Sequence, residues 1–296
     1  MKNTSLTLLF LFFFCKLFSQ SKYEFIGVIM INNEKDKIVP YRIVFEEVKG
    51  DVKGFSITDF DGEHETKSTI VGKYDKKTGL FSFKEIDILY TKSLISKNSF
   101  CFIHYEGKLK LESNRNKSKV NGKFFGKFST SKKCLDGTLS MLGSDLIYTK
   151  LNKLDNKIQK SNRVTVEEKA KINTITLFDS LKINRLSNNE RLNLFLTERD
   201  FKLKIFDAGI EDGDVIDLYQ NDQLILKDYR VTKAQKIFNL SLQKSEDELV
   251  FKIVAKSIGS EGLSTPKIIV ESRGRNFELF ANLNKNEAAY LSVNIK

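Results

Sequence analysis

In short runs on both sides of a helical middle, apolar side chains recur at every second position, and this period of two constrains the chain more than any other feature. A strand sends successive side chains to opposite faces, so a sheet with one buried face requires such alternation, whereas a helix repeats at three and four. Tyr41, Ile43 and Phe45 alternate with Arg42 and Val44, the Lys49-Gly50-Asp51 turn follows, and a second extended run covers Phe55 to Thr58. Further turn signals stand at Asp61-Gly62, Lys77-Thr78-Gly79, Gly107, Asn121-Gly122 and Asp136-Gly137. A spacing of roughly 10 to 15 residues between them predicts antiparallel strands joined by hairpins. About eight strands are expected over residues 20–148, as a sandwich or an up-and-down barrel.

The texture changes over 149–172. Leu151, Leu154 and Ile158 stand at helical spacing among Lys, Asn and Gln, and the charged Val166 to Lys171 segment follows, which predicts a partly helical linker. Residues 173–296 return to cleaner alternation. Phe201, Leu203 and Ile205 alternate with lysines, Leu249, Phe251, Ile253 and Ala255 repeat the pattern, and so do Phe277, Leu279, Ala281 and Leu283. About seven or eight strands, an immunoglobulin-like β-sandwich without the Cys and Trp hallmarks of antibody domains, are expected here. The whole chain is thus read as all-β apart from its linker.

Ahead of the strands, Lys2 and the apolar run Leu6 to Cys15 have the form of a secretory signal peptide. The run is about half the ~20 residues that a membrane-spanning helix needs. Cleavage is expected near Ser19 and Gln20, so 1–19 is the signal and the mature protein is periplasmic or secreted. Lys16 and Leu17 are unusual before such a site. The lipoprotein alternative would acylate Cys15, but Phe14 occupies the position where that signal wants a small residue. With Cys15 removed, Cys101 and Cys134 remain in an oxidising compartment and are expected to form a disulfide. Neither belongs to a CxxC pair, which argues against a redox or metal role.

Lysine and arginine outnumber aspartate and glutamate 49 to 38, a net charge of +11 that loss of Lys2 and Lys16 lowers to about +9. The excess is concentrated between Lys97 and Lys133, where Lys108, Lys110, Arg115, Lys117, Lys119, Lys123, Lys127 and Lys132 face only Glu106 and Glu112. Lys108, Lys110, Lys117, Lys119, Lys123 and Lys127 form a candidate anion-binding surface, with an anionic glycan, a lipid head group or an envelope protein as partner; the alternative is a solvated lysine-rich face. Nucleic acid is not expected, because arginine is scarce there and no RNP-like or helix-turn-helix pattern accompanies the lysines.

The stretch Phe206-Asp207-Ala208-Gly209-Ile210-Glu211-Asp212-Gly213-Asp214-Val215-Ile216-Asp217-Leu218, with Asn221, Ala255 and Thr265-Pro266 downstream, resembles a C-terminal β-sandwich module common in exported proteins of Bacteroidota-type bacteria. That module often has Gly after the Asn; Asp222 stands there here. Thr58-Asp59, Gly62, His64 to Ser68, Gly72, Tyr90 to Ser93 and Phe100-Cys101 are similar to β-rich domains of the same kind of protein. The resemblance implies no established activity. In the acidic loop, Asp207, Glu211, Asp212 and Asp214 offer the hard oxygen ligands that calcium prefers, the one cofactor the chain suggests. The order is not that of an EF-hand. Asp212-Gly213 is equally a tight-turn pair whose carboxylates need no ion, and alternation would turn Asp217 away from a core holding Ile216 and Leu218.

No nucleophile elbow, zincin helix or P-loop is present, and the histidines are two, His64 and His104. Glu46, Glu47, Glu63, Glu65 and Glu85 are the carboxylates that would have to meet across strands for glycoside hydrolysis. The leading expectation is a non-catalytic binding or structural protein of the envelope or exterior. One alternative is a carrier of an apolar ligand, which needs a closed barrel with an open interior; another is a hydrolase without a readable motif.

Overall fold

The computed structural model describes residues 22–32, 37–95, 97–111, 117–260 and 262–296. The expected signal peptide, its cleavage site and Cys15 lie outside the described residues, as does Arg115. The first eight strands are β1 (Lys22–Ile31), β2 (Ile38–Val48), β3 (Asp51–Thr58), β4 (Thr66–Asp75), β5 (Leu80–Thr91), β6 (Phe102–Lys108), β7 (Lys119–Lys127) and β8 (Lys133–Gly143). Each pairs antiparallel with its neighbour in sequence, and β8 returns to β1, with Ile29 opposite Leu139. Of the two architectures the alternation allows, the chain takes the closed up-and-down barrel.

Closure follows from what lies inside. The inward positions hold nine aromatic rings, Tyr23, Phe25, Tyr41, Phe45, Tyr74, Phe81, Phe83, Tyr105 and Phe124, together with Ile, Val, Leu and Met. Phe45 stacks on Phe25 and Phe81 at centroid distances of 6.0 and 5.1 Å, and Phe83 on Tyr105 at 5.5 Å. Rings at these separations fill the barrel, and room for them comes from glycine. A Cβ on Gly107 would meet the Tyr105 hydroxyl at 2.3 Å, one on Gly122 would meet the same ring at 3.1 Å, and one on Gly137 would meet the Phe124 ring at 2.6 Å. These glycines were expected in turns. They sit inside β6, β7 and β8, where a missing side chain admits a neighbour's ring. Lys49-Gly50 and Thr78-Gly79 do make hairpin turns, with positive φ at Lys49, Gly50 and Gly79.

Three helices follow the barrel: α1 (Ser144–Lys160), α2 (Val166–Lys171) and α3 (Thr174–Ser180). The helical stretch starts before the expected 149–172 linker and runs past it. Thr165 and Glu168 form a reciprocal capping box that starts α2, and Asn173 caps α3. Lys182 ties the helices to the barrel, donating to the Tyr148 hydroxyl at 2.7 Å and lying 3.4 Å from the Glu24 carboxylate of β1.

The remaining strands are β9 (Arg185–Leu186), β10 (Arg191–Leu196), β11 (Asp200–Phe206), β12 (Val215–Gln220), β13 (Gln223–Arg230), β14 (Lys236–Ser241), β15 (Glu248–Ser257), β16 (Lys267–Ser272), β17 (Arg275–Ala281) and β18 (Ala288–Ile295). They form two layers around one core. The layer β13-β12-β15-β18-β10 continues into the barrel through β5, where Leu194 pairs with Tyr90 and Asn193 with Thr91. The second layer runs β14-β11-β16-β17-β9. Leu203, Ile205 and Val270 of one layer and Leu218, Phe251, Ile253 and Leu291 of the other belong to the same buried cluster, as does Tyr90 of the barrel. Two pairings are parallel, β10 with β18 and β9 with β17.

Candidate functional site

The cysteines sit at one end of the barrel. Cys101, just before β6, and Cys134 of β8 form a disulfide with Cα atoms 6.0 Å apart. The bridge passes over Gly126 of β7, where a Cβ would lie 2.2 Å from the Cys101 sulfur.

At the other end of β4 to β7, away from the junction with β10, lies a basic pocket. The β4–β5 turn supplies Lys76, Lys77, Thr78 and Gly79, and the β6–β7 connection supplies Lys108, Leu109, Lys110, Ser118 and Lys119, with Tyr74 beneath. The space is about 530 Å³, and among the described residues its walls carry five lysines and no carboxylate. Local chemistry shapes both walls. Asp75 accepts from the Lys77 amide at 2.8 Å and the Thr78 hydroxyl at 2.7 Å, which folds the turn and lowers the Asp75 pKa. The Lys108 ammonium donates to the Thr78 carbonyl at 3.0 Å and the Leu111 amide to the Tyr74 hydroxyl at 3.1 Å, clasping the two walls together.

Three of the six lysines of the expected anion surface, Lys108, Lys110 and Lys119, thus meet at one pocket. Lys117 is exposed in the adjoining loop, Lys123 is exposed on β7, and Lys127 lies toward the far end of that strand. Sequence reading missed Lys76 and Lys77, because they are some thirty residues upstream and only the hairpin register brings them to Lys108. The Asp75-Lys-Lys-Thr-Gly turn was their one visible signal.

The acidic loop behaves differently. Asp214 is buried, and its two carboxylate oxygens accept from the Gly259 amide at 2.9 Å and the Thr265 amide at 2.8 Å. Burial raises its pKa, the two amides offset part of that, and the charges of Asp212 and Asp207 add to the rise. Asp207 accepts from the Gly209 amide at 2.7 Å, Glu211 from the Lys233 amide, and Asp217 from the Asp228 amide at 2.7 Å. The Asp212 carboxylate packs against Gly259, where a Cβ would lie 2.0 Å away. Among the described residues no group of three or more His, Cys, Asp or Glu side chains converges as a metal site requires. Asp217 faces away from the core that holds Ile216 and Leu218, as alternation predicts, since β12 runs in unbroken register with β15 from Ile216 to Leu218; it is nonetheless buried, with the Lys256 ammonium 3.6 Å from its carboxylate.

These contacts give Asp214 a measurable role. Asp214→Ala leaves two part-buried amides without their acceptor and is expected to cost about 2 kcal/mol in urea unfolding. Asp214→Asn keeps one acceptor and is expected to lose less. Equal midpoints for wild type and Asp214→Ala would show that the carboxylate does not hold the loop.

The carboxylates considered for hydrolysis are engaged separately. Glu85 is buried in the barrel, accepting from Tyr41 and Ser56, whereas Glu65 accepts from Tyr90 at 2.6 Å, and Glu47 from the Gly50 amide at 2.7 Å. Exposed His64 donates its amide to Asp59. His104 is on the outer face of β6, opposite to buried Ile103 and Tyr105.

No family model matches the chain, and no solved structure matches it. Among curated proteins, 133 residues of the chain, 45% of it, are 30% identical to autophagy-related protein 11 of Candida glabrata. That stretch is 11% of the yeast protein, so the chain spans about a tenth of its length and the likeness assigns no family.

Proposed function

We propose that the chain is an exported, non-catalytic binding protein that holds an anionic ligand, the acidic group of a glycan or of a lipid head group, at the lysine-lined end of its barrel. The observation that carries this reading is the pocket itself: five lysines line one space to which the described residues of the lining add no carboxylate. Uncompensated like charges repel, and a bound anion relieves that repulsion. The filled barrel interior favours a site on the outside over an apolar ligand carried within. Export is supported by the n-region and apolar run of residues 1–19 and by the disulfide, which suits an oxidising compartment. The C-terminal layers are, in this reading, an immunoglobulin-like scaffold that carries the barrel.

Binding of the mature protein to dextran sulfate, to neutral dextran, and to vesicles with and without anionic lipid tests the proposal. Dextran sulfate or anionic vesicles are expected to bind, with affinity falling as salt rises. The triple variant Lys76→Gln, Lys110→Gln, Lys119→Gln is expected to lose at least tenfold in affinity with unchanged thermal stability. Equal binding by wild type and triple variant would move the site elsewhere; no binding to any anionic probe would end the proposal.

A further inference from the structure

A second depression lies close to the lysine pocket: Lys73 lines it, and Tyr74, the next residue of β4, lines the pocket. It is a groove of about 470 Å³ that runs along β4, β5 and β6 over the outer wall of the barrel, past Lys73 and Ser82 to Lys84, His104 and Phe125. A further space of about 520 Å³ shares Lys84 and His104 with that groove and extends to Ile86, Lys127 and Phe128. From the turn residue Gly79 along β5 to Asp87 the chain lines the three spaces in turn, a path of roughly 25 Å at strand rise.

At the middle of this path stands an unusual side chain. Phe125 is 43% exposed, the most open Phe or Tyr among the described residues. Its ring is stacked on His104, with centroids 5.0 Å apart and planes 17° from parallel, and the Lys127 ammonium lies 5.5 Å from the ring centre. Cross-strand register sets Lys53, Val71, Lys84, His104 and Phe125 in one row over five strands. The acidic groups nearby are largely engaged: Asp51 pairs with Lys73 at 2.5 Å, Asp136 with Lys133 at 2.6 Å, and Asp87 with Lys296. Glu106, on the same strand as His104, adds one negative charge to the groove lining.

We infer that this groove binds an acidic polysaccharide chain, with a sugar ring stacked on Phe125 and its carboxylates met by Lys84 and Lys127, while the lysine pocket takes an acidic group several sugars further along the chain. The inference rests on the proposed anion site and names its ligand class. One ring more than a third exposed, with Phe102 and Phe128 only partly open beyond it, suits a sugar, which presents one apolar face, better than single-stranded nucleic acid, which is held by successive stacking platforms. Length, one ring and flanking cations together select a chain of carboxylated sugars over a compact anion.

His104 provides a reporter. Partial burial lowers its pKa first, and the Lys127 and Lys84 charges lower it further. An acidic sugar seated against those lysines is expected to raise it. Proton NMR of the two histidines resolves this, using oligogalacturonate, a neutral maltooligosaccharide and oligothymidylate as probes. Oligogalacturonate is expected to raise the His104 titration midpoint and leave the resonance positions of exposed His64 at fixed pH unchanged. Phe125→Ala, which removes an exposed ring and leaves the fold intact by thermal melt, is expected to weaken oligogalacturonate binding at least fivefold. If Phe125→Ala binds like wild type while the lysine triple variant does not, the groove inference fails and the lysine site stands. If oligogalacturonate fails to bind at all while dextran sulfate or anionic vesicles bind, the ligand class is wrong. If no anionic probe binds, both fall. Equal affinity for maltooligosaccharide or for oligothymidylate would overturn the inference in favour of a neutral glycan or a nucleic acid.

Discussion

Glu85→Ala is expected to destabilise the barrel by on the order of 3 kcal/mol or more, the largest effect of any single polar substitution proposed here. Glu85 follows Phe81 and Phe83 on the inward face of β5, so alternation delivers a carboxylate into an apolar wall. It persists because three donors converge on it: the Tyr41 hydroxyl at 2.9 Å, the Ser56 hydroxyl at 2.5 Å and the Ile103 amide at 2.7 Å. The last of these sits where β6 parts from β5, beyond the Lys84–His104 pair, so the carboxylate replaces a ladder bond that the sheet does not make. Alanine leaves all three donors unmatched. Glu85→Gln keeps an acceptor for the two hydroxyls but turns an NH₂ toward the Ile103 amide, and a loss of about 1 to 2 kcal/mol is expected.

The pH dependence separates these variants further. Burial raises the Glu85 pKa and the three donors offset only part of the rise. A carboxyl whose folded pKa is raised adds stability that is fully present below its unfolded value and is lost as pH climbs through the folded value. Urea midpoints of wild type are therefore expected to fall, relative to Glu85→Gln, as pH rises from the ordinary glutamate range toward neutrality. Parallel pH profiles for the two proteins would show that the group is not desolvated.

Where the sequence was readable, it was because one rule acted alone. The period of two in Tyr41-Ile43-Phe45 and Phe201-Leu203-Ile205 survives in the fold, since each strand has one buried face. Gly107, Gly122 and Gly137 were misread for the same reason that makes the barrel close: a glycine facing Tyr105 or Phe124 looks, in one dimension, like a glycine in a turn. The acidic loop was legible as acidic and not as a set of amide acceptors, because the partners of Asp214 lie about 45 and 51 residues away. The lysine pocket was half legible. Lys108, Lys110 and Lys119 cluster in sequence, while Lys76 and Lys77 join them only through the β5–β6 register. Nothing in the residues announced that β5 would leave the barrel, carry Tyr90 into the C-terminal core and pair with β10, since alternation does not say which edge a strand will meet.

Loss of the Cys101–Cys134 bridge should lower stability by about 3 to 4 kcal/mol, the value expected from the chain entropy of a closed loop of this size. The bond links positions 33 residues apart and joins β6 to β8 across β7. Those strands also complete the circuit from β5 back to β1, so the cross-link fastens the part of the barrel whose closure brings distant segments together. Its two sulfurs occupy the space left by Gly126, and two alanines in their place introduce no new polar group there. Cys101→Ala with Cys134→Ala is therefore the cleaner variant, and a drop in melting temperature of roughly 10 °C is expected for a chain of this size. Reduction of the wild type should reproduce that drop, while addition of reductant to the double variant should change nothing. The lysine pocket lies at the other end of the same strands, and Lys108 and Lys119 bound the β6–β7 connection enclosed by the bridge. A bridge that only raises global stability would leave affinity for dextran sulfate unchanged at temperatures well below the melt. If affinity falls there as well, the bridge also holds the two walls of the pocket in register.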